Sequence, residues 1–369
     1  MTKPPSTGIT RRNFLQLLMA AGAGVVATGV LRALKASAPI STPIKNIIFF
    51  IQENHSFDSL FASFPGANGK DAGLRCADAL QKDPPHRHAD AFEPEGATSA
   101  EARCSYQESD APNYWKVARN FTLCDNYFSD VRGPSHPNFL MMIAGQSPII
   151  DPPPPPDVCP KFCLDNEVLP NRLDEAGLTW RDYGGILTSA RSLVGRPEIM
   201  DFRDVKFFED AALGTLPNVA WLNSGFLYDS YAKSGHPPSS LCLGENYAVS
   251  VLNAVMSGPQ WSTTALFLVW DEWGGFYDHV EPPVVERWKD GTPSRYGHRV
   301  PGIVISPYAR SGYVSHNLYS HVSLLRFAET IFDLKPLTER DAKADNMLDC
   351  FDFDQTPVSP ITLTPRVCP

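Results

Sequence analysis

Apolar runs along this chain are short, and several end abruptly in polar residues. Ile44-Lys45-Asn46-Ile47-Ile48-Phe49-Phe50-Ile51-Gln52 is rich in β-branched and aromatic residues and predicts a buried strand. It stops at Glu53-Asn54-His55. Thr264-Ala265-Leu266-Phe267-Leu268-Val269-Trp270 is the clearest strand pattern and stops at Asp271-Glu272. Shorter strands are expected at Phe121–Phe128, Leu178–Tyr183, Val219–Leu222 and Gly302–Ser306. Helical signals lie among them. Ser135 as a cap, with Pro137 in the first turn, opens a helix that stops near Gly145. Leu169 to Ala176, Leu241 to Met256 and Ser320 to Phe332 also read as helices. Strands apolar on both faces, alternating with helices, predict an α/β sandwich with a largely parallel central sheet and helices on both faces.

The pattern is interrupted at about 66–112 and 147–165, which read as loop insertions in a single domain spanning 39–369. The second insertion holds Asp151-Pro152-Pro153-Pro154-Pro155-Pro156-Asp157, a stiff polyproline segment. The N-terminus is different again. Thr10-Arg11-Arg12-Asn13-Phe14-Leu15 opens an uncharged, Gly/Ala-rich stretch running to Leu31. Residues 1–38 read as a twin-arginine export signal, which makes the twin-arginine translocase a partner and the periplasm or the exterior the destination. A retained membrane anchor is the alternative reading of the same stretch. Ala36-Ser37-Ala38 resembles a cleavage site, but Pro39 follows it.

Composition narrows the picture. Hydrophobic residues are 43% and charged residues 20%, enough to build a core and unlike a disordered chain. The formal charge of −9, with the basic residues of 1–38 included, argues against a nucleic-acid binder. Eight cysteines in an exported chain indicate disulfides. Proximity alone suggests Cys76 with Cys104, Cys159 with Cys163, and Cys350 with Cys368, leaving Cys124 and Cys242.

Two acid-bearing pairs, Glu53-Asn54 and Asp271-Glu272, each ending an apolar strand, suggest a hard-cation site at the carboxyl end of a sheet, with Ser135 supplying a hydroxyl. So many acids together are costly to bury without a cation.

These residues resemble a known family. Glu53-Asn54-His55-Ser56-Phe57-Asp58 is similar to the E-N-R-S-F-D motif of the bacterial phospholipase C and acid phosphatase family, phosphoesterases of the alkaline phosphatase superfamily. Ser135-His136-Pro137-Asn138 resembles its T/S-x-P-N motif. Asp271-Glu272-Trp273-Gly274-Gly275-Phe276-Tyr277-Asp278-His279-Val280 resembles D-E-x-G-G-x-x-D-H-V. Gly297-His298-Arg299-Val300-Pro301, then Ser306-Pro307-Tyr308, is similar to G-x-R-V-P…S-P-W/Y, and His321-Val322-Ser323-Leu324-Leu325-Arg326-Phe327 lies in a D-H-x-S-x-L-R-F-like helix. The resemblance spans about residues 44–353. It departs at His55, where the family has Arg, and at Phe139, where it often has Arg.

The resemblance implies an alkaline-phosphatase-like fold and a metal-dependent phosphoesterase of phospholipase C type. An acid phosphatase is the alternative. It implies that Glu53, Asn54, Ser135, Asp271 and Glu272 hold a divalent cation, which oxygen donors allow to be calcium, magnesium, manganese or zinc. Ser135 becomes the nucleophile and Asn138 a phosphate-binding residue. His236, in a Gly-His-Pro-Pro element, is the first choice for protonating the leaving alcohol, and His321 the second. His86 and His88 read as solvated residues of the excursion. The substrate is a phosphate ester or a phospholipid. A sulfatase is a rival reading, although Phe139 stands where its C/S-x-P-x-R motif requires Arg. A non-catalytic binding protein is the rival from another class.

Overall fold

The computed structural model describes residues 40–151, 164–199, 204–224, 231–287 and 291–369. The export signal, the proline run after Asp151, and Cys159 with Cys163 lie outside them. Among the described residues no helix is long and apolar enough to cross a membrane.

The strands are β1 (Asn46–Gln52), β2 (Thr122–Cys124), β3 (Tyr127–Phe128), β4 (Trp180–Asp182), β5 (Val219–Asn223), β6 (Thr264–Trp270), β7 (Val284–Arg287), β8 (Pro293–Arg295), β9 (Gly302–Ile305), β10 (Tyr313–Ser315) and β11 (Tyr319–Ser320). The helices used below are α1 (Phe57–Phe61), α2 (Pro112–Asn120), α3 (Ser135–Ala144), α4 (Leu169–Glu175), α5 (Asp204–Leu213), α6 (Leu241–Ser257), α7 (His321–Phe332) and α8 (Glu339–Lys343). Seven strands make the central sheet in the order β10-β2-β9-β6-β1-β5-β4. This is the α/β architecture that the alternating pattern predicts.

Every residue of β1 and β6 is buried, which is why both read as unbroken apolar runs. Successive side chains go to opposite faces. Phe49 meets Phe267, which packs on Phe327 of α7 with ring centroids 4.8 Å apart. Phe50 points the other way and meets Tyr247 of α6 at 6.1 Å. Helices therefore cover both faces. Burying each phenylalanine fully contributes about 1.5–3 kcal/mol.

Three details differ from the sequence reading. The run Phe121–Phe128 is broken into β2 and β3, because Asp125 accepts from the Asn68 backbone and faces the His316 ring, which turns the chain. β9 runs antiparallel to both β6 and β2. A parallel return needs a crossover helix; here the chain between β6 and β9 forms a loop and the β7–β8 hairpin instead. The cysteines also pair differently. Cys76–Cys104 is present as expected, but Cys242 bonds Cys368. That leaves Cys350 beside Cys124, both buried, with sulfurs 3.9 Å apart. Proximity in sequence misled because the C-terminal segment runs back along α6, held by Asn246 and Asn253.

Candidate active site

β1 and β6 are parallel neighbours in a register that sets Gln52 opposite Trp270. The next residues, Glu53 and Asp271, must therefore emerge side by side at the carboxyl end of the sheet, where such folds place their sites. The Asp271 backbone N–H donates to Gln52 O at 3.0 Å and continues the pairing one residue further. Asn54 then adopts φ +59°, a left-handed conformation that asparagine tolerates better than most residues. Gly274 lies against it. A Cβ there would sit 2.4 Å from the Asn54 carbonyl oxygen, and its φ is +62°, so only glycine fits without a shift.

Asp271, Glu272 and Asn54 each have one side-chain polar atom fixed and one oxygen left over, and Glu53 adds a fourth spare oxygen. Asp271 Oδ1 accepts from the backbone N–H groups of Asn54 and Glu272 at 2.9 and 2.8 Å. Glu272 Oε2 accepts from Gly274 N–H at 2.7 Å. Asn54 Nδ2 donates to His86 Nε2 at 3.2 Å. Asn223, at the end of β5, lies by the Glu53 carboxylate and eases its ionisation. The remaining oxygens, Glu53 Oε1, Asn54 Oδ1, Asp271 Oδ2 and Glu272 Oε1, are buried with no hydrogen bond of ordinary geometry to the protein. Such a cluster is costly in a protein interior unless something neutralises it.

The acidities tell the same story. Burial first, then the Asp271 charge, lifts Glu53 well above the usual carboxylate range. Burial and Asp271 do the same to Glu272. Burial pushes Asp271 up to about 6, against the pull of the Ser135 hydroxyl and two backbone donors. Three neighbouring carboxyls that resist ionising together, each with a buried spare oxygen, have the chemistry that a divalent cation neutralises.

Ser135 is the first residue of α3. The structure makes Pro134, not Ser135, the residue that precedes the helix, and no side chain caps it. The Ser135 hydroxyl is therefore not engaged in capping and lies by the Asp271 carboxylate. Asn138 departs from its expected role as a phosphate ligand. Its Oδ1 accepts from the backbone of Asp130 and Val131 at 3.0 and 2.9 Å, and its Nδ2 faces the carbonyls of Val131, Gly133 and Pro134. With no polar atom to offer substrate, it braces the loop that delivers Ser135.

His321 is likewise a scaffold residue. Its Nε2 donates to Asp271 O at 2.7 Å and its Nδ1 accepts from Tyr127 at 3.1 Å, and it is fully buried. Both ring nitrogens are used, so it holds the Asp271 backbone in place and cannot deliver a proton to substrate. His55 stacks on Phe276 at 4.7 Å behind the site and donates from Nδ1 to Glu53 O.

His236 reaches the site in company that the sequence reading missed. Its ring lies 5.8 Å from that of His86, and Asp83, His86 and His236 bring ligand-type atoms within 4.8 Å of one another. His86 Nε2 is 3.8 Å from Glu272 Oε1, and its Nδ1 donates to Pro84 O at 2.7 Å. Far from being solvated, His86 is a wall of the site. The 66–112 excursion folds over the strand ends, closed by Cys76–Cys104 and tied to α6 by Leu241 N–H donating to Asp78 O. The only signal in the sequence was two histidines among prolines inside a cysteine-bracketed loop. Burial holds His236 down to about 4, and its Nδ1 donates to Pro237 O at 2.6 Å.

A profile of the Phosphoesterase family matches residues 44–335. The chain is similar to phospholipase C B of Mycobacterium tuberculosis, 29% identical over 68% of this chain and 57% of that one. It is similar to the hemolytic phospholipase C of Pseudomonas aeruginosa, 29% identical over 69% of this chain and 43% of that one. It thus spans about half the length of these two curated relatives. Phospholipase C A of Mycobacterium tuberculosis is 25% identical over 97% of this chain and 88% of its own. Among solved structures, murine ectonucleotide pyrophosphatase/phosphodiesterase 5 aligns with a TM-score of 0.48 at 8% identity, over 83% of this chain and 100% of that one. With its motifs at the strand ends and the profile covering most of its length, the chain belongs to the Phosphoesterase family.

Proposed function

We propose that this chain is a phosphoric ester hydrolase of phospholipase C type, with Ser135 as nucleophile and Glu53, Asn54, Asp271 and Glu272 holding a divalent cation. The observation that carries this reading is the set of four buried oxygens without ordinary partners, three of them on residues whose other side-chain polar atom is already anchored. A bound cation supplies the charge that makes a serine hydroxyl more acidic and offsets charge on phosphoryl oxygens. The protein's own groups do the rest. The Asn138-braced loop and the start of α3 hold Ser135 at the Asp271 carboxylate. The serine oxygen forms a bond to phosphorus as the alcohol oxygen leaves, and water then cleaves the phosphoserine. His236 keeps its Nδ1 proton on the Pro237 carbonyl, so its Nε2 is the atom that takes up a proton and returns it to the leaving alcohol. The disulfides Cys76–Cys104 and Cys242–Cys368 suit an oxidising compartment, in line with export directed by residues 1–38.

Ser135→Ala tests the reading. Hydrolysis of phosphatidylcholine and of p-nitrophenyl phosphate should fall roughly 10³-fold or more, while bound metal, measured by elemental analysis, stays near the wild-type ratio. Activity within threefold of wild type would remove Ser135 from the mechanism. A phosphomonoesterase would use the same atoms; hydrolysis of the monoester without the phospholipid would assign that activity instead.

A further inference from the structure

Beside the carboxylate site lies a pocket of about 300 Å³. His298 lines it, and the His298 ring packs on Trp273 with centroids 4.5 Å apart. Trp273 in turn presents its ring to His86 at 6.5 Å. The pocket is thus one aromatic layer from the catalytic groups. Arg132, three residues before Ser135, lines it too.

Two features of the pocket lack counterparts in the protein. His298 is 4% exposed, and its Nδ1 has no hydrogen-bond partner. Arg132 lies over the Phe92 ring at 5.2 Å and donates to the Tyr296 carbonyl, but among the described residues no carboxylate is within ion-pairing distance of it. The acids of the pocket are mostly taken. Glu95 pairs with Arg103 at 2.6 Å, Glu281 with Arg295 at 3.1 Å, and Asp278 with Arg299 at 3.1 Å. What is left without an ion pair among the described lining residues is the Arg132 guanidinium and, on the exposed rim, Glu93, with the unpartnered His298 Nδ1 buried alongside. The chemistry of the guanidinium and the imidazole suits an anion, because a guanidinium offers forked donors matched to carboxylate or phosphate. The volume is at the small end for ligand sites, which suits a compact polar group rather than an acyl chain.

We propose that this pocket is a specificity subsite for a second anionic group, a phosphate or carboxylate carried by the alcohol portion of the phosphoester, and that Arg132 reads it with His298 beside it. The inference rests on the hydrolase reading above. A soluble ester and a lipid headgroup offer the same chemistry.

The test compares matched pairs that differ by one anion. Glycerol 3-phosphate and 3-phosphoglycerate form the soluble pair. Phosphatidylinositol and phosphatidylinositol 4-phosphate, each in phosphatidylcholine vesicles, form the lipid pair. In at least one pair, wild-type kcat/KM should favour the doubly anionic member, and Arg132→Met should cut that preference roughly 10- to 100-fold, with Arg132→Lys in between. A loss of folding or of general activity would lower both members and leave their ratio intact. The same ratio is read by calorimetric binding of 3-phosphoglycerate against glycerol 3-phosphate. If neither compound is hydrolysed but binding shows the Arg132-dependent preference, the hydrolase reading fails and the subsite stands. No preference in either pair and in binding overturns the subsite. So does a preference for a cationic head, such as phosphocholine, that Glu93→Gln abolishes and Arg132→Met does not.

Discussion

Two acidic clusters lie close together in this protein, built from the same two motifs, and they are finished in opposite ways. Glu53-Asn54 and Asp271-Glu272 leave four buried oxygens without ordinary partners. A few residues further along each motif, Asp58 and Asp278 enclose the buried Arg299. Its Nη2 donates to Asp58 at 2.8 Å and its Nε to Asp278 at 3.1 Å, while Nη1 donates to the carbonyls of Asn68 and Asp125. His279 Nδ1 pairs with the second Asp58 oxygen at 2.5 Å. None of the side-chain atoms of Asp58, Asp278, His279 or Arg299 is buried without a partner. Asp58, Asp278 and His279 are close enough to chelate an ion, yet the guanidinium already does the work of a cation. A dense acidic cluster is therefore not in itself a metal site; what separates the two is whether the protein supplies the opposite charge.

The largest effect is expected at the open cluster. Asp271→Asn should lower turnover roughly 10²- to 10³-fold, more than the 10- to 100-fold typical of groups that only support a metal ligand, with initial rates at saturating cation as the measurement. An equal loss from Asp58→Asn without loss of stability would erase the distinction. At the closed cluster the effect should appear in stability. Arg299→Met strands two buried carboxylates and should cost about 3–5 kcal/mol by urea denaturation. A loss under 1 kcal/mol would mean that the carboxylates are neutral or hydrated without it.

Added divalent cation sharpens the contrast. At a concentration one hundred times its Kd it should stabilise the wild type by about 2.7 kcal/mol, and Glu53→Gln should remove most of that while Asp58→Asn keeps it. In chelator-treated protein Glu272→Gln should raise stability slightly, by about 1 kcal/mol or less, because it removes one of several mutually repelling acids.

Glu329 supplies the control and the smallest effect. Both its oxygens are buried and unpartnered by ordinary hydrogen bonds, as in the open cluster, but the Arg326 guanidinium stands 3.5 Å from one of them. Burial first, then Asp341, pushes its carboxyl up to about 8. Asp341 is occupied at the start of α8, where it accepts from the backbone of Leu337 and Thr338, so it leaves no spare oxygen beside Glu329 and a proton suffices. The folded state holds that proton more tightly than the unfolded chain. Stability should therefore fall as pH rises from the ordinary glutamate range toward about 8 and flatten above it. Glu329→Gln should flatten the slope in denaturation midpoints taken between pH 5 and 8. An unchanged slope would show that Glu329 ionises normally.

Much of this was visible before folding is considered. An apolar run on both faces means a central strand, and an acid placed straight after one has little choice but the sheet's end. That is why Glu53, Asn54, Asp271 and Glu272 could be grouped across more than two hundred residues of sequence, and why the sheet was expected to be parallel. His86 and Asp83 could not be found in the same way. They lie in an aperiodic loop whose path is decided by a disulfide and by contacts with α6. Asn138 and His321 sit in motif positions that suggest chemistry, and only their hydrogen-bond partners show that they brace Ser135 and Asp271 instead.

By itself, then, the sequence determined the alternation of strands and helices and which acids would stand at strand ends, because those follow from local periodicity and burial. Tertiary structure alone decided which acid cluster received an arginine, which histidines reached the site, and which cysteines met. Hydrogen-bond saturation and charge compensation depend on groups brought together from distant parts of the chain, and no local pattern encodes them.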